Sequence, residues 1–297
     1  MPYDSDDAFV RLIVPRVRAA LTEGRRVLAV ICEAKLGLLT DALGRDAARL
    51  DCRPASWYGH PYRALAAYHE YAHDRRTLVV GEPVWQGRSE RELRELIRYE
   101  SVLNAALLRC SVVMLCPYDL RVVPPAVLDY SEISHPLLLG GTGEAPSTRF
   151  VQPQDLVLNG DRAPLPAPGP GALTIDFTAR ELKPLRRRVG EWARAAGMDH
   201  SLVTSLVISV SEIAANSVEH GAGHGTITMW NAGGELVCEI ADSGGALDDP
   251  LPGYIPPEPE SPRGYGLWIS RQLCDLVELR AEGGVLRVRL HLGLRPA

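Results

Sequence analysis

The sequence predicts an α/β domain built on a largely parallel sheet, followed by an α+β sandwich, and three observations predict it. Its 297 residues exceed what one core usually organises. A proline- and glycine-rich stretch without apolar period, Pro153–Gly171, falls near the middle. The spacing of apolar runs also changes across that stretch. Domains are therefore expected at 1–152 and 172–297, with a semi-rigid linker at 153–171.

In the first part, strand-like runs alternate with helical patterns: Arg26–Ile31, a helix over Leu36–Leu50, Thr77–Val80, a helix over Glu90–Leu108, then Ser111–Cys116. That order suits a parallel sheet with helical crossovers. In the second part a strand at Leu173–Phe177 precedes two long helices, about Ala179–Ala196 and Asp199–His220. Thr226–Asn231 with Leu236–Ala241, and Leu276–Ala281 with Val285–Leu290, each flank a Gly-Gly turn and read as hairpins. Between them lie a proline-rich loop, Asp248–Pro262, and a helix at Tyr265–Leu273. Helices on one face of a mixed sheet are expected.

With 32 basic against 37 acidic residues, the net charge of −5 argues against nucleic acid as a direct partner. Val27–Ile31 and Val112–Cys116, the longest apolar runs, fall well short of a membrane span, and Asp4, Asp6 and Asp7 stand where a signal peptide would be basic. A cytoplasmic protein without membrane contact is expected. The six cysteines show no zinc-site spacing and read as reduced thiols.

Three motifs in the second part carry chemistry. Glu212, Asn216 and His220 recur every four residues on one helical face, and an in-helix asparagine invites a metal or hydrogen-bonding role. A solvated polar face is the plain alternative. Asp242-Ser243-Gly244-Gly245 follows a strand, where a carboxylate can accept from an adenine amine, although such a tetrapeptide also makes an ordinary turn. Arg263-Gly264-Tyr265-Gly266-Leu267 opens a helix whose first N–H groups suit phosphate oxygens.

In that order and spacing the boxes resemble the Bergerat ATP-binding fold of the histidine kinase-like (GHKL) ATPases, and within it the anti-sigma-factor serine kinases. About 40 residues between the linker and Glu212 leave no room for a dimerising hairpin with a phosphoacceptor histidine, and His200 reads as a loop or helix-start residue. The resemblance implies ATP and Mg²⁺ as cofactors, with Asn216 on Mg²⁺, Asp242 on adenine and Glu212 as general base. It assigns the nucleotide pocket and its lid to Gly244, Arg263, Gly264, Tyr265 and Gly266. A sigma factor and a STAS-type anti-anti-sigma protein are the implied partners, and a homodimer is compatible with it. Ser217, where alanine is usual, and Ala246, in place of a second glycine, depart from the pattern. Two rivals stay open: an ATP-binding regulatory module without phosphotransfer, and an orphan histidine-kinase-like sensor.

In the first part Gly140–Glu144 lacks the lysine of a phosphate loop. His69-Glu70-Tyr71-Ala72-His73 spells a zinc-protease pattern, but the helix is broken at once by Asp74-Arg75-Arg76 and no third ligand is specified, so the pair reads as structural, with metal binding as the alternative. Gly81–Trp85, Tyr99-Glu100 with Asn104, Leu115–Asp119 and Ser134-His135-Pro136 resemble the MEDS sensory domain over about residues 5–152. That implies a RecA-like core without a working phosphate loop. Glu82, Trp85, Glu100 and Asn104 are candidates for a small sensory pocket, the alternative being a polar network that locks strand to helix.

Overall fold

Arg26–Ile31 has no polar alternation, as befits a strand covered on both faces, and it sits in the interior of a parallel sheet. The computed structural model describes residues 1–55, 60–140, 143–160, 164–244, 249–257 and 264–294, and the chain divides into two units, Met1–Leu156 and Val157–Ala297.

In the first unit a short strand β1 (Pro2–Tyr3) leads to helix α1 (Asp6–Thr22), capped by the Ser5 hydroxyl, which accepts from Ala8 N–H. Then come β2 (Arg26–Ile31), α2 (Glu33–Leu43), β3 (Leu50–Pro54), α3 (Pro61–Ala72), β4 (Thr77–Gly81), α4 (Glu90–Ala106), β5 (Val112–Leu115) and β6 (Tyr118–Asp119). The sheet order is β3-β2-β4-β5, every pair parallel. α5 (Pro125–Ser134) and the hairpin β7 (Leu137–Gly140) with β8 (Gly143–Pro146) complete it. α4 opens on a reciprocal capping box between Ser89 and Glu92. The expected helix over 36–50 is two pieces, because Gly44 ends α2 at positive φ and Leu50 already belongs to β3.

The stretch expected as a linker begins with regular structure. Pro153–Gly160 forms helix α6, with Pro153 at its first residue, where no N–H is needed, and Asp155 in the first turn.

The second unit continues with β9 (Leu173–Thr178), α7 (Leu182–Ala195), α8 (His200–Glu219), β10 (His224–Ala232), β11 (Glu235–Asp242), α9 (Tyr265–Leu273), β12 (Leu276–Glu282) and β13 (Val285–Gly293). The sheet is not mixed as expected: its order is β12-β13-β11-β10-β9 and every neighbouring pair is antiparallel. Two-residue turns join both hairpins directly, so sequence neighbours become sheet neighbours.

One face of this sheet carries Ile175, Ile227, Ile240, Val288 and Leu279 into a core with Leu206, Val210, Ile213 and Ala214 of α8. α8 is the one described helix long and apolar enough to cross a membrane by length and composition, and half of its apolar stretch is buried here.

The other face is polar yet covered. Glu239 and Arg289 pair at 2.6 Å, both about 5% exposed, and Arg287 reaches the same carboxylate at 2.9 Å. Arg289 also donates to Pro166 O at 2.8 Å and stacks over Trp230, against whose indole Gly169 packs. Residues 164–171 are thus strapped across that face, each charge meeting a partner as burial requires.

Candidate functional site

The alternation along β11 places Asp242 on the same face as Ile240, toward the helices, opposite Leu286, which packs on the core. Asp242 is buried, and its carboxylate accepts from Gly244 N–H at 3.1 Å. It lies against Gly221, just past the end of α8: a methyl on Gly221 would stand 2.6 Å from Asp242 Oδ1.

α8 begins under an Asp199 cap, with His200 exposed as its first residue, as expected of a helix-start residue. Its last turns present Glu212, half-buried, and Asn216, exposed, while Ile213, Ala214 and Ser217 face inward. Ser217 is 4% exposed and donates to Ile213 O, so the residue that departs from the family pattern points into the protein and away from Asn216.

Opposite them α9 starts. Gly264 occupies its N-cap with φ +94°, a left-handed value that favours glycine, and among the described residues no side chain caps that end. Gly266, the second residue of α9, is buried against α8: a methyl there would stand 3.1 Å from Asn216 Nδ2 and 3.4 Å from Glu212 Oε2. Tyr265 is exposed at the rim. Arg263, Gly245 and Ala246 lie outside the described residues.

Glu212, Asn216, Gly266 and the α9 N-terminus therefore meet directly, and Asp242 and Gly244 adjoin them through Gly221 and Ala222. An exposed amide, a half-buried carboxylate and an uncapped helix N-terminus can receive a metal-bound polyphosphate, and a buried carboxylate can receive an amine donor. A cavity of about 550 Å³ opens elsewhere, lined by Asp176, Thr178, Thr226, Ala241 and Arg287 on the polar sheet face. It shares Asp242 with the constellation but touches neither Glu212 nor Asn216, and the side-chain convergence is the better guide to chemistry.

The residues that hold the base of the Asp248–Pro262 loop were not singled out from sequence. Arg271 of α9, 1% exposed, donates to Pro252 O and Val277 O and stacks 3.5 Å over Tyr254, while Gly253 packs on Leu267. A charge on the buried side of a helix pattern was the available signal.

In the first unit the four sensory candidates meet different partners. Glu82 accepts from Cys32 N–H at 2.9 Å, tying the end of β4 to the β2–α2 turn. Trp85 packs on the small cluster of Cys116, Tyr118 and Val123. Asn104 donates to Ser101 O and Ser134 O, clamping α4 to the end of α5. Glu100 is 7% exposed, and burial pushes its carboxyl up to about 7. His135 stands beside it at 3.7 Å, held down to about 4 mainly by its own burial. The His69 and His73 rings are 5.5 Å apart at the end of α3, and burial lowers the pKa of His69. Among the described residues they join no third metal-ligand side chain.

Residues 1–136 match the MEDS family, the methanogen/methylotroph, DcmR sensory domain, and residues 175–290 match the histidine kinase-like ATPase domain. Among solved structures, the RsbU and RsbW domains of Rv1364c from Mycobacterium tuberculosis are 26% identical over 44% of this chain and 34% of that one, with a TM-score of 0.33. This chain thus spans about a third of that structure. Acinetobacter baumannii histidine kinase AdeS is 11% identical over 81% of this chain and 98% of its own, with a TM-score of 0.25.

Proposed function

Because the chain joins a MEDS domain to a histidine kinase-like ATPase domain, we propose that it is an anti-sigma regulatory factor. Its second unit binds Mg·ATP, sequesters a sigma factor and phosphorylates a STAS-type anti-anti-sigma protein on serine, under control of the first unit. It works in the cytoplasm. The observation that carries this reading is the packing of Gly266 onto Asn216 and Glu212 beside the α9 N-terminus. We read the two units as RecA-like and Bergerat-type, which the parallel sheet and the helix-covered antiparallel sheet support.

ATP supplies the transferable phosphoryl group, and Mg²⁺ offsets its charge. Asn216 is the protein's ligand to that ion, and the bare α9 N-terminus behind Gly264 draws phosphate oxygens. Asp242 accepts from the adenine amine, its burial excluding competing water. Glu212, one turn before Asn216, orients the serine hydroxyl and takes its proton.

Incubation with Mg·ATP and candidate sigma and anti-anti-sigma proteins should give both a complex and acid-stable phosphoserine. Asn216→Ala should abolish Mg·ATP binding by calorimetry while the fold persists, and Glu212→Gln should keep binding but lose transfer. Unchanged affinity in the first variant, or full transfer in the second, removes the corresponding role. An ATP-loaded protein that holds the sigma factor but labels no serine points to the regulatory module, and acid-labile phosphate points to a histidine-kinase-like sensor.

A further inference from the structure

Three side chains from three elements converge in the first unit: Glu100 of α4, Cys116 just after β5, and His135 at the C-terminal end of α5. Their candidate ligand atoms all lie within 4.8 Å of one another. Glu100 and Cys116 are each 7% exposed, and the His135 side chain is 20% exposed, which gives the cluster one approach to solvent.

Two further observations distinguish this cluster from a chance meeting. His135 Nδ1 lies 2.9 Å from Ser131 O and 3.0 Å from Ser134 Oγ; with the ring proton on Nδ1, where Ser131 O can only accept it, the Nε2 lone pair faces Glu100. Metal-ligating histidines are held by the same backbone anchor. Asn104 adds a clamp on the preceding residue through Ser134 O. Glu100 Oε2, meanwhile, is fully buried and has no hydrogen-bond partner among the described residues. At 3.7 Å from Nε2 it is too far for a hydrogen bond, so an oxygen and a nitrogen that both carry lone pairs confront each other across a gap.

We propose that Glu100, Cys116 and His135 are the protein ligands of a zinc-class divalent cation in the first unit, with one coordination position left open toward solvent. A sulfur, an imidazole nitrogen and a carboxylate oxygen form a donor set that suits a borderline-soft ion. Tetrahedral bonds of about 2.0 Å to nitrogen and oxygen set those two ligands roughly 3.3 Å apart, near the 3.7 Å already present. The Cys116 sulfur completes the set by a side-chain movement of order 1 Å. On loading, Cys116 Sγ–H loses its proton to solvent and the sulfur pair forms the metal bond, and any proton on Glu100 leaves likewise. Thiolate and carboxylate then balance the two positive charges, which a buried site requires.

Three protein ligands with a fourth position open is the arrangement of sites that exchange a water for a small donor molecule. The Trp85 side chain, packed against the Cys116 cluster, lends the neighbourhood an apolar wall.

Titration of the full chain with Co²⁺ tests this. One equivalent per chain should give a thiolate-to-cobalt charge-transfer band and tetrahedral d–d bands, with Zn²⁺ displacing the cobalt. Cys116→Ser should lose the charge-transfer band, and Glu100→Gln and His135→Gln should weaken binding by about tenfold or more. A His69→Gln, His73→Gln double variant should bind as the wild type does. Absence of the charge-transfer band in wild type, or its survival in Cys116→Ser, overturns the proposal. Should a ligand variant not fold, the wild-type spectrum alone decides.

Discussion

Replacing Gly266 by alanine puts a methyl 3.1 Å from Asn216 Nδ2, 3.3 Å from Glu212 Cβ and 3.4 Å from Glu212 Oε2. All three contacts are tighter than ordinary van der Waals spacing, so α8 and its side chains must give by a few tenths of an ångström. Two opposing effects then act on stability. Alanine is favoured over glycine in a helix by up to about 1 kcal/mol, whereas overpacking costs about 1–3 kcal/mol. Two of the three displaced atoms end an exposed and a half-buried side chain, whereas Glu212 Cβ is fixed to the α8 backbone, which places the cost near the middle of that range. The net change should lie within about 1 kcal/mol, a shift in Tm of roughly 4 °C or less. Mg·ATP affinity should suffer more, because the amide assigned to the ion is the group pushed aside. A loss of about tenfold, or about 1.4 kcal/mol, is expected by calorimetry. Wild-type affinity in a folded Gly266→Ala variant would refute the shared site. A loss of stability above about 3 kcal/mol would refute the premise that Asn216 and Glu212 yield.

Two further outcomes follow from buried charge in the second unit. His291, 5% exposed, is held between Glu235 at 3.1 Å and Glu278 at 2.9 Å; burial pulls its pKa down, but the two carboxylates outweigh burial and raise it. Its contribution should be complete below the unfolded histidine value of about 6.5 and fade as pH rises through the raised folded value. Wild type should therefore lose more urea stability than His291→Gln between pH 6 and alkaline pH, and parallel curves would remove the imidazolium. Arg271→Ala strips Pro252 O and Val277 O of a buried donor and Tyr254 of its stacked partner, at a cost of about 3 kcal/mol. Limited proteolysis should then cut within 249–257, and resistance equal to wild type would deny Arg271 its anchoring role. Lysine should not rescue, since it lacks the planar fork.

Much of the second unit was legible because its signals are local. Gly-Gly turns between apolar runs name both hairpins, and the helix at Tyr265–Leu273 is bounded as its glycines suggest. The packing of Gly266 on Asn216 joins residues 50 positions apart, so only the order of the motifs could hint at it. The antiparallel order of the sheet was misread because hairpin patterns fix pairs but not how the pairs adjoin. In the first unit Leu50, the first residue of β3, was absorbed into the helical pattern that begins at Leu36, since it continues the preceding apolar spacing. The grouping of Glu100 with His135 was invisible for the same reason as Gly266: it depends on where α5 ends relative to α4.

Composition alone draws the domain edge at residue 172, and Pro166 and Gly169 upstream of it pack on Arg289 and Trp230. Their backbone caps the Arg289 guanidinium and roofs the Trp230 indole, on the sheet that also supplies Asp242. A fragment starting at 172 would expose a buried arginine–glutamate pair and a tryptophan to water, and would be sticky and weakened. One starting before Pro164 would keep its own lining.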